Sequence, residues 1–185
     1  MSRQRFVIDS GASRFTVKAF AAGMTSGLGH NPTISIREFS GKVEFEAATM
    51  DAANLSVTVR AASLQVQDEM RDDDRRTLER IMNEEVLATS KHPEVTYQSA
   101  DIRAVKTSEG VYKAEIRGRL TLNGVTRRQD VVAQVAVGPY NLRANGNFEV
   151  RQSEYDIRRV NVAGGSLTLR DELKFVFFVV AKLQE

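Results

Sequence analysis

The sequence predicts a mainly all-β chain whose eight long strands close into an antiparallel barrel, with one helical segment near 72–88. Three observations carry this. Apolar residues recur at every second position through eight separate runs, as in strands with one buried and one wet face. The runs are about 8–17 residues long, well above the usual length of about 5–6. An Asn123-Gly124 pair joins two alternating stretches, a strong short-range hairpin signal. A strand of about 12 residues spans about 40 Å, or some 30 Å of barrel height at a tilt of about 40°. Up-and-down closure of eight such strands removes the exposed edges.

The runs fall at roughly 6–20, 34–47, 54–67, 94–106, 110–122, 128–138, 140–151 and 166–182. In the first, Phe15, Val17 and Ala19 alternate with Arg14, Thr16 and Lys18. In the second, Phe39, Gly41, Val43 and Phe45 share a face against Ser40, Lys42 and Glu44, and in the third Leu55, Val57 and Val59 do the same. Before the fourth run, "DDDRRTLERIMNEEVLA" (72–88) changes period. Leu78, Ile81, Met82, Val86 and Leu87 recur at helical spacing, and an Asp can cap the start. Val95 and Tyr97 open the fourth strand. The clearest alternation is 112–122, with Tyr112, Ala114, Ile116, Gly118, Leu120 and Leu122 on one face. Val131, Ala133 and Val135 follow the Asn-Gly turn, and Tyr140, Leu142, Ala144, Gly146, Phe148 and Val150 repeat the pattern. The last run departs from it: Phe175, Phe177 and Val179 lie on one side, but Val176, Phe178 and Val180 fill the other. A strand apolar on both faces needs cover on both, from the 71–90 segment or from a second subunit. Small residues on the inward faces (Gly41, Ala114, Gly118, Ala144, Gly146, Ala181) leave room for a cavity.

The 185 residues make one domain, residues 1–185, with 42% hydrophobic and 27% charged residues, the composition of an ordinary globular protein. Basic and acidic residues nearly cancel, 26 against 24, so nucleic acid is not implied. The Arg pairs at 75–76, 127–128 and 158–159 read as solvated surface, with transient contact to a membrane surface as the alternative. With no cysteine, disulfides, thiolate catalysis and Cys-type zinc sites are excluded. "MSRQRFVIDS" carries no apolar signal-peptide core. As given, the chain therefore reads as cytoplasmic, and as periplasmic if a signal peptide has been removed.

Catalytic chemistry finds little support. His30, in "GLGHNP", and His92, in "SKHPEV", have no sequence neighbours suited to a zinc or acid–base site. The Gly-rich 21–32 loop lacks the Lys-Ser/Thr of a phosphate loop. Tyr97, Tyr112, Tyr140 and Tyr155 could place hydroxyls in a cavity. No catalytic residue and no metal site is assigned.

Five stretches, in order along the chain, resemble the YceI-like family: "FVIDSGASRFTVKAF", "FSGKVEFE", "HPEVTYQSADI", "YKAEIRGRLTLNGVTRRQDVVAQV" and "ANGNFEVRQSEYDI…GGSLTLRDELKFVFFVVAKL". Gly118, Leu120, Thr121, Gly124 and Thr126 match its "G-x-LTh-x-G-h-T" signature. His92 stands where an aromatic is usual, and Tyr97 where a Phe is usual. The resemblance implies a lipocalin-like barrel, often dimeric, that holds a polyisoprenoid or isoprenoid-quinone type of lipid in an apolar tunnel for storage or transport. It implies no catalytic cofactor and no enzymatic activity. Joined to the strand faces above, it places the tunnel lining at Phe15, Val17, Phe39, Val43, Phe45, Leu78, Met82, Tyr97, Ile116, Leu120, Leu122, Phe148, Tyr155, Phe175 and Phe177. The expected partners are a hydrophobic lipid and a second copy of the chain. Two other readings stand beside this one. One is a barrel enzyme using His30 or a cavity tyrosine on a hydrophobic substrate. The other is a ligand-free module that binds a partner through 173–183.

Overall fold

The computed structural model of the chain describes residues 3–22, 31–158, 161–162 and 167–184. Most of them belong to one antiparallel sheet built from β1 (Arg3–Ile8), β2 (Arg14–Ala22), β3 (Thr33–Ile36), β4 (Phe39–Glu46), β5 (Asn54–Arg60), β6 (Leu64–Val66), β7 (Glu94–Ser108), β8 (Val111–Leu122), β9 (Val125–Arg128), β10 (Val131–Val137), β11 (Asn141–Arg151), β12 (Asn161–Val162) and β13 (Leu167–Gln184). Strands β1, β4, β5, β7, β8, β10, β11 and β13 pair in that order, and β13 returns to β1. The eight-stranded ring is closed, as expected from the eight long period-two runs.

The eight runs are the eight walls of this barrel, but the first three are each broken once. Run one becomes β1 and β2, both paired to β13. Between Ile8↔Ala181 and Arg14↔Phe178 the chain advances six positions while β13 advances three, so three residues loop out. Asp9 holds that loop: its Oδ1 accepts from the N–H of Gly11 and Ala12, and its Oδ2 lies 2.6 Å from Lys182 Nζ. Run two breaks at 37–38 into β3 and β4, and run three breaks at a 3₁₀ turn, Ala61–Ser63, into β5 and β6. Ser63 ties these breaks together, since its Oγ accepts from Glu38 N–H at 3.0 Å.

Beyond the breaks, β2, β3 and β6 extend as a flap from β13. β5 pairs with β7, whereas β6 is flanked by β3 alone, because β7 begins only after His92-Pro93. The helix fills that gap. Helix α1 (Asp72–Ile81) continues as a π-turn over Met82–Val86, and Glu79 Oε1 accepts from Val66 N–H, a donor on the open edge of β6, at 3.1 Å. The π-turn has a local cause. Asn83 donates its side-chain amide to the Glu79 carbonyl, the acceptor its own N–H would use in an α-turn. The expected Asp cap is not made: Arg71 occupies the N-cap and supplies no side-chain bond, while Asp72, Asp73 and Asp74 fill the first turn, where they favour the helix dipole.

The Asn-Gly hairpin forms as expected. Leu122 pairs with Val125, and Asn123 and Gly124 take φ of 51° and 74°, the left-handed pair of a type I′ turn. His92 packs on it so closely that a Cβ on Gly124 would lie 2.6 Å from the imidazole Cε1. That contact gives His92 a packing role. His30 lies outside the described residues. Among the described residues no helix is long and apolar enough to cross a membrane.

Candidate functional site

The inward faces of the barrel enclose a cavity of about 280 Å³. Its wall follows from the pleat. Ala114, Ile116, Leu120 and Leu122 enter from β8, Val131, Ala133 and Val135 from β10, and Phe175, Phe177 and Val179 from β13. Helix α1 and its π-turn complete one end with Leu78, Ile81, Met82 and Val86. Met50 and Ala53, from the loop after β4, line the wall near the buried cluster of Phe6, Phe45 and Leu142. Two aromatic contacts stiffen the middle: Phe148 stacks on Phe175 at 5.0 Å between ring centroids, and Phe15 meets Phe39 edge-on at 4.7 Å.

Among the described residues, no Asp, Glu, Lys, Arg or His lines this cavity. The polar side chains among the described wall residues are Thr96, Tyr97, Tyr112 and Gln152. Tyr97 donates its hydroxyl to the Gln129 carbonyl at 2.9 Å. Burial, with the Asp130 carboxylate nearby, pushes its pKa up to about 12. Neutral and already engaged, this hydroxyl is poorly suited to move protons near neutral pH. Among the described residues no group of three or more His, Asp or Glu could hold a metal ion.

Of the residues expected to line a ligand tunnel, all but Phe39 and Tyr155 stand in the cavity wall. Phe39 packs behind Phe15. Tyr155 is 1% exposed and packs behind the wall, in a cluster with Leu120, Leu122, Val150 and Ile157. The glycine reading also needs correction. A Cβ on Gly118 would lie 2.8 Å from the Gln98 carbonyl and closer still to the Tyr97 ring and hydroxyl, and one on Gly146 would lie 2.7 Å from the Phe177 ring. These glycines admit a neighbouring aromatic side chain and leave no open space, whereas Ala114, Ala144 and Ala181 do face the cavity. The 71–90 segment does not cover the outer stripe of β13. Its apolar residues line the cavity, and Phe178 is left 44% exposed.

Several lining residues were not expected. Leu55, Val57 and Val59 carried the inward alternation and could have been chosen from it. Met50 and Gln152 lie in a loop and a turn, where no periodicity marks a facing side.

A closed antiparallel barrel whose described interior is uncharged and walled by hydrocarbon is of the kind suited to hold apolar small molecules. The chain belongs to the YceI-like domain family, whose family model matches residues 6–181. A UPF0312 protein of Ectopseudomonas mendocina is 30% identical over 131 residues, 68% of this chain and 63% of that protein, so the match spans less than two thirds of the relative's length. Among solved structures, BcnA of Burkholderia cenocepacia is similar with a TM-score of 0.71 and 16% identity, covering 94% of this chain and 98% of that one. A polyisoprenoid-binding domain from Saccharophagus degradans, described as implicated in plant cell wall breakdown, reaches a TM-score of 0.70 at 12% identity over 97% and 98% of the two chains. At these identities the two structures establish a shared fold.

Proposed function

We propose that the protein binds a long-chain amphiphilic lipid, of polyisoprenoid or isoprenoid-quinone type, inside the barrel for storage or transport, and that it is not an enzyme. The observation that carries this is the cavity wall, which has no charged side chain among the described residues. Such a wall rejects ions and polar metabolites, whose uncompensated burial costs several kcal/mol, and accepts hydrocarbon. The name of the Saccharophagus degradans neighbour supports the isoprenoid class.

Energetics favours a reversible carrier. A chain of about 40 carbons at about 0.8 kcal/mol per buried CH₂ would exceed the ceiling of non-covalent affinity if water were the competitor. The bilayer is the relevant competitor, and its tails are as apolar as the barrel wall. Net transfer is then small, and brief contact with a membrane surface suffices for exchange. The same reading pairs the barrel with a second copy through the outer stripe of β13. Mass spectrometry of an organic extract of the purified protein tests the proposal. A stoichiometric long-chain isoprenoid is expected, and a protein purified without any bound lipid, and unable to take one up from vesicles, would overturn it.

A further inference from the structure

Gln152 opens the 3₁₀ turn Gln152–Tyr155 after β11, and it is 3% exposed while lining the cavity. Its amide is held from outside. Nε2 donates to the Arg170 carbonyl at 2.9 Å, and since only the NH₂ end can face a carbonyl, the orientation of the amide is set. The turn itself is clamped to β13, because Asp171 accepts from Ser153 N–H at 2.8 Å and from Ser153 Oγ at 2.6 Å. This leaves Oε1 and the second amide hydrogen. Neither has a partner among the described residues.

A buried amide with an acceptor and a donor that no described residue engages carries a desolvation cost unless a ligand meets them. The other polar groups of the wall differ from it. The Tyr97 hydroxyl is consumed by Gln129, and Thr96 and Tyr112 are only half-buried, so water can serve them. Gln152 also sits at a defined end. Val86 and Leu87, from the helix end of the barrel, pack against the cluster that contains Tyr155 and Ile157, and the Ile157 N–H donates to the Gln152 backbone carbonyl.

We propose that Gln152 is the recognition point for the polar head of the ligand, and that this head is an uncharged hydroxyl that donates to Oε1 and accepts from Nε2. The proposal rests on the lipid-binding reading and narrows it to a neutral isoprenoid alcohol or phenol, with the head at the helix end and the tail running toward Met50. A phosphorylated head finds no cation among the described residues of the wall and stays outside the cavity.

Three probes of equal chain length test this on the whole protein: geranylgeraniol, the hydrocarbon lacking its hydroxyl, and geranylgeranyl phosphate, each competing with a bound fluorescent prenyl probe. Gln152→Met, of similar length and without the amide, should weaken the alcohol roughly tenfold relative to the hydrocarbon, the worth of one or two neutral hydrogen bonds. The phosphate should respond no more than the hydrocarbon. In the unaltered protein, the Gln152 side-chain amide proton resonance should shift with the alcohol and not with the hydrocarbon. A purely structural Gln152 would weaken all three probes alike and leave that resonance unmoved; either result overturns the proposal, as does a phosphate that depends on Gln152 more than the alcohol does. If none of the probes binds, the lipid reading fails and this inference with it, whereas equal responses to all three overturn this inference alone.

Discussion

Tyr97 shows how one side chain can serve wall and scaffold together. It crosses over Gly118 to reach the Gln129 carbonyl, at the point where the chain passes from β9 to β10. Burial raises its pKa from 10.0 to about 12. Above pH 10 the unfolded chain releases this proton while the folded barrel keeps it. The contribution is therefore fully present below pH 10 and is lost as pH rises through about 12. Denaturant melts across that window should show a downward slope that Tyr97→Phe reduces. The same variant should lose about 1 kcal/mol at neutral pH with its hydrogen bond. Ile116 supplies a sharper test of the cavity, since it lines the wall and is 8% exposed. In a dry core Ile116→Asp would cost several kcal/mol and unfold the chain. In a container, water enters in place of lipid. The variant should then fold, with a loss of about 1–3 kcal/mol, and lose its lipid. Circular dichroism melts and lipid extraction on one sample decide between the two.

Among the elements, β13 does the most. Its inner face lines the cavity, its first part pairs with β2 and its end with β1, so one strand closes the barrel and anchors the flap. Its outer face bears Val176, Phe178 and Val180, and two strands away Val132 is 51% exposed. Asn147 stands between Val132 and Val176 in register, so the apolar row runs across the sheet and is interrupted by amides. If a second copy covers this row, Phe178→Glu should convert a dimer to a monomer in sedimentation and leave the bound lipid unchanged, because the side chain points away from the cavity. A wild-type protein that sediments as a monomer at high concentration would refute the dimer. The helical segment turned out to serve the opposite side. Its leucines and methionine face the cavity, because β7 begins only at Glu94 and leaves the second edge of β6 without a strand neighbour.

For the whole molecule, a ligand that binds only the closed barrel adds stability by mass action. At a free concentration about 100 times its dissociation constant the gain is about 2.7 kcal/mol. For a chain of this size each kcal/mol moves the melting temperature by roughly 2–4 °C. Stripping the lipid should therefore lower the melting temperature by about 5–10 °C, and adding back a prenyl alcohol should restore it. A melting temperature indifferent to delipidation would argue that the interior is filled by its own side chains.

The sequence by itself determined the strands, their inward faces, the Asn-Gly hairpin and most of the cavity lining. Each of these depends on a period-two pattern, and that pattern states locally which side chains leave water. Phe15, Ile116 and Phe177 point inward for the same reason that Arg14, Arg117 and Lys174 do not. The tertiary structure decided what depends on neighbours distant in the chain. It broke the first three strands at one level, where Ser63 reaches Glu38. It spent the space over Gly118 and Gly146 on the rings of Tyr97 and Phe177, and it drew Tyr155 out of the cavity. It also placed Gln152 in the cavity wall with half its amide engaged by no described residue. A glycine in a strand, or a glutamine in a turn, carries no local mark of what will stand beside it. Only closure of the barrel brings those partners within reach.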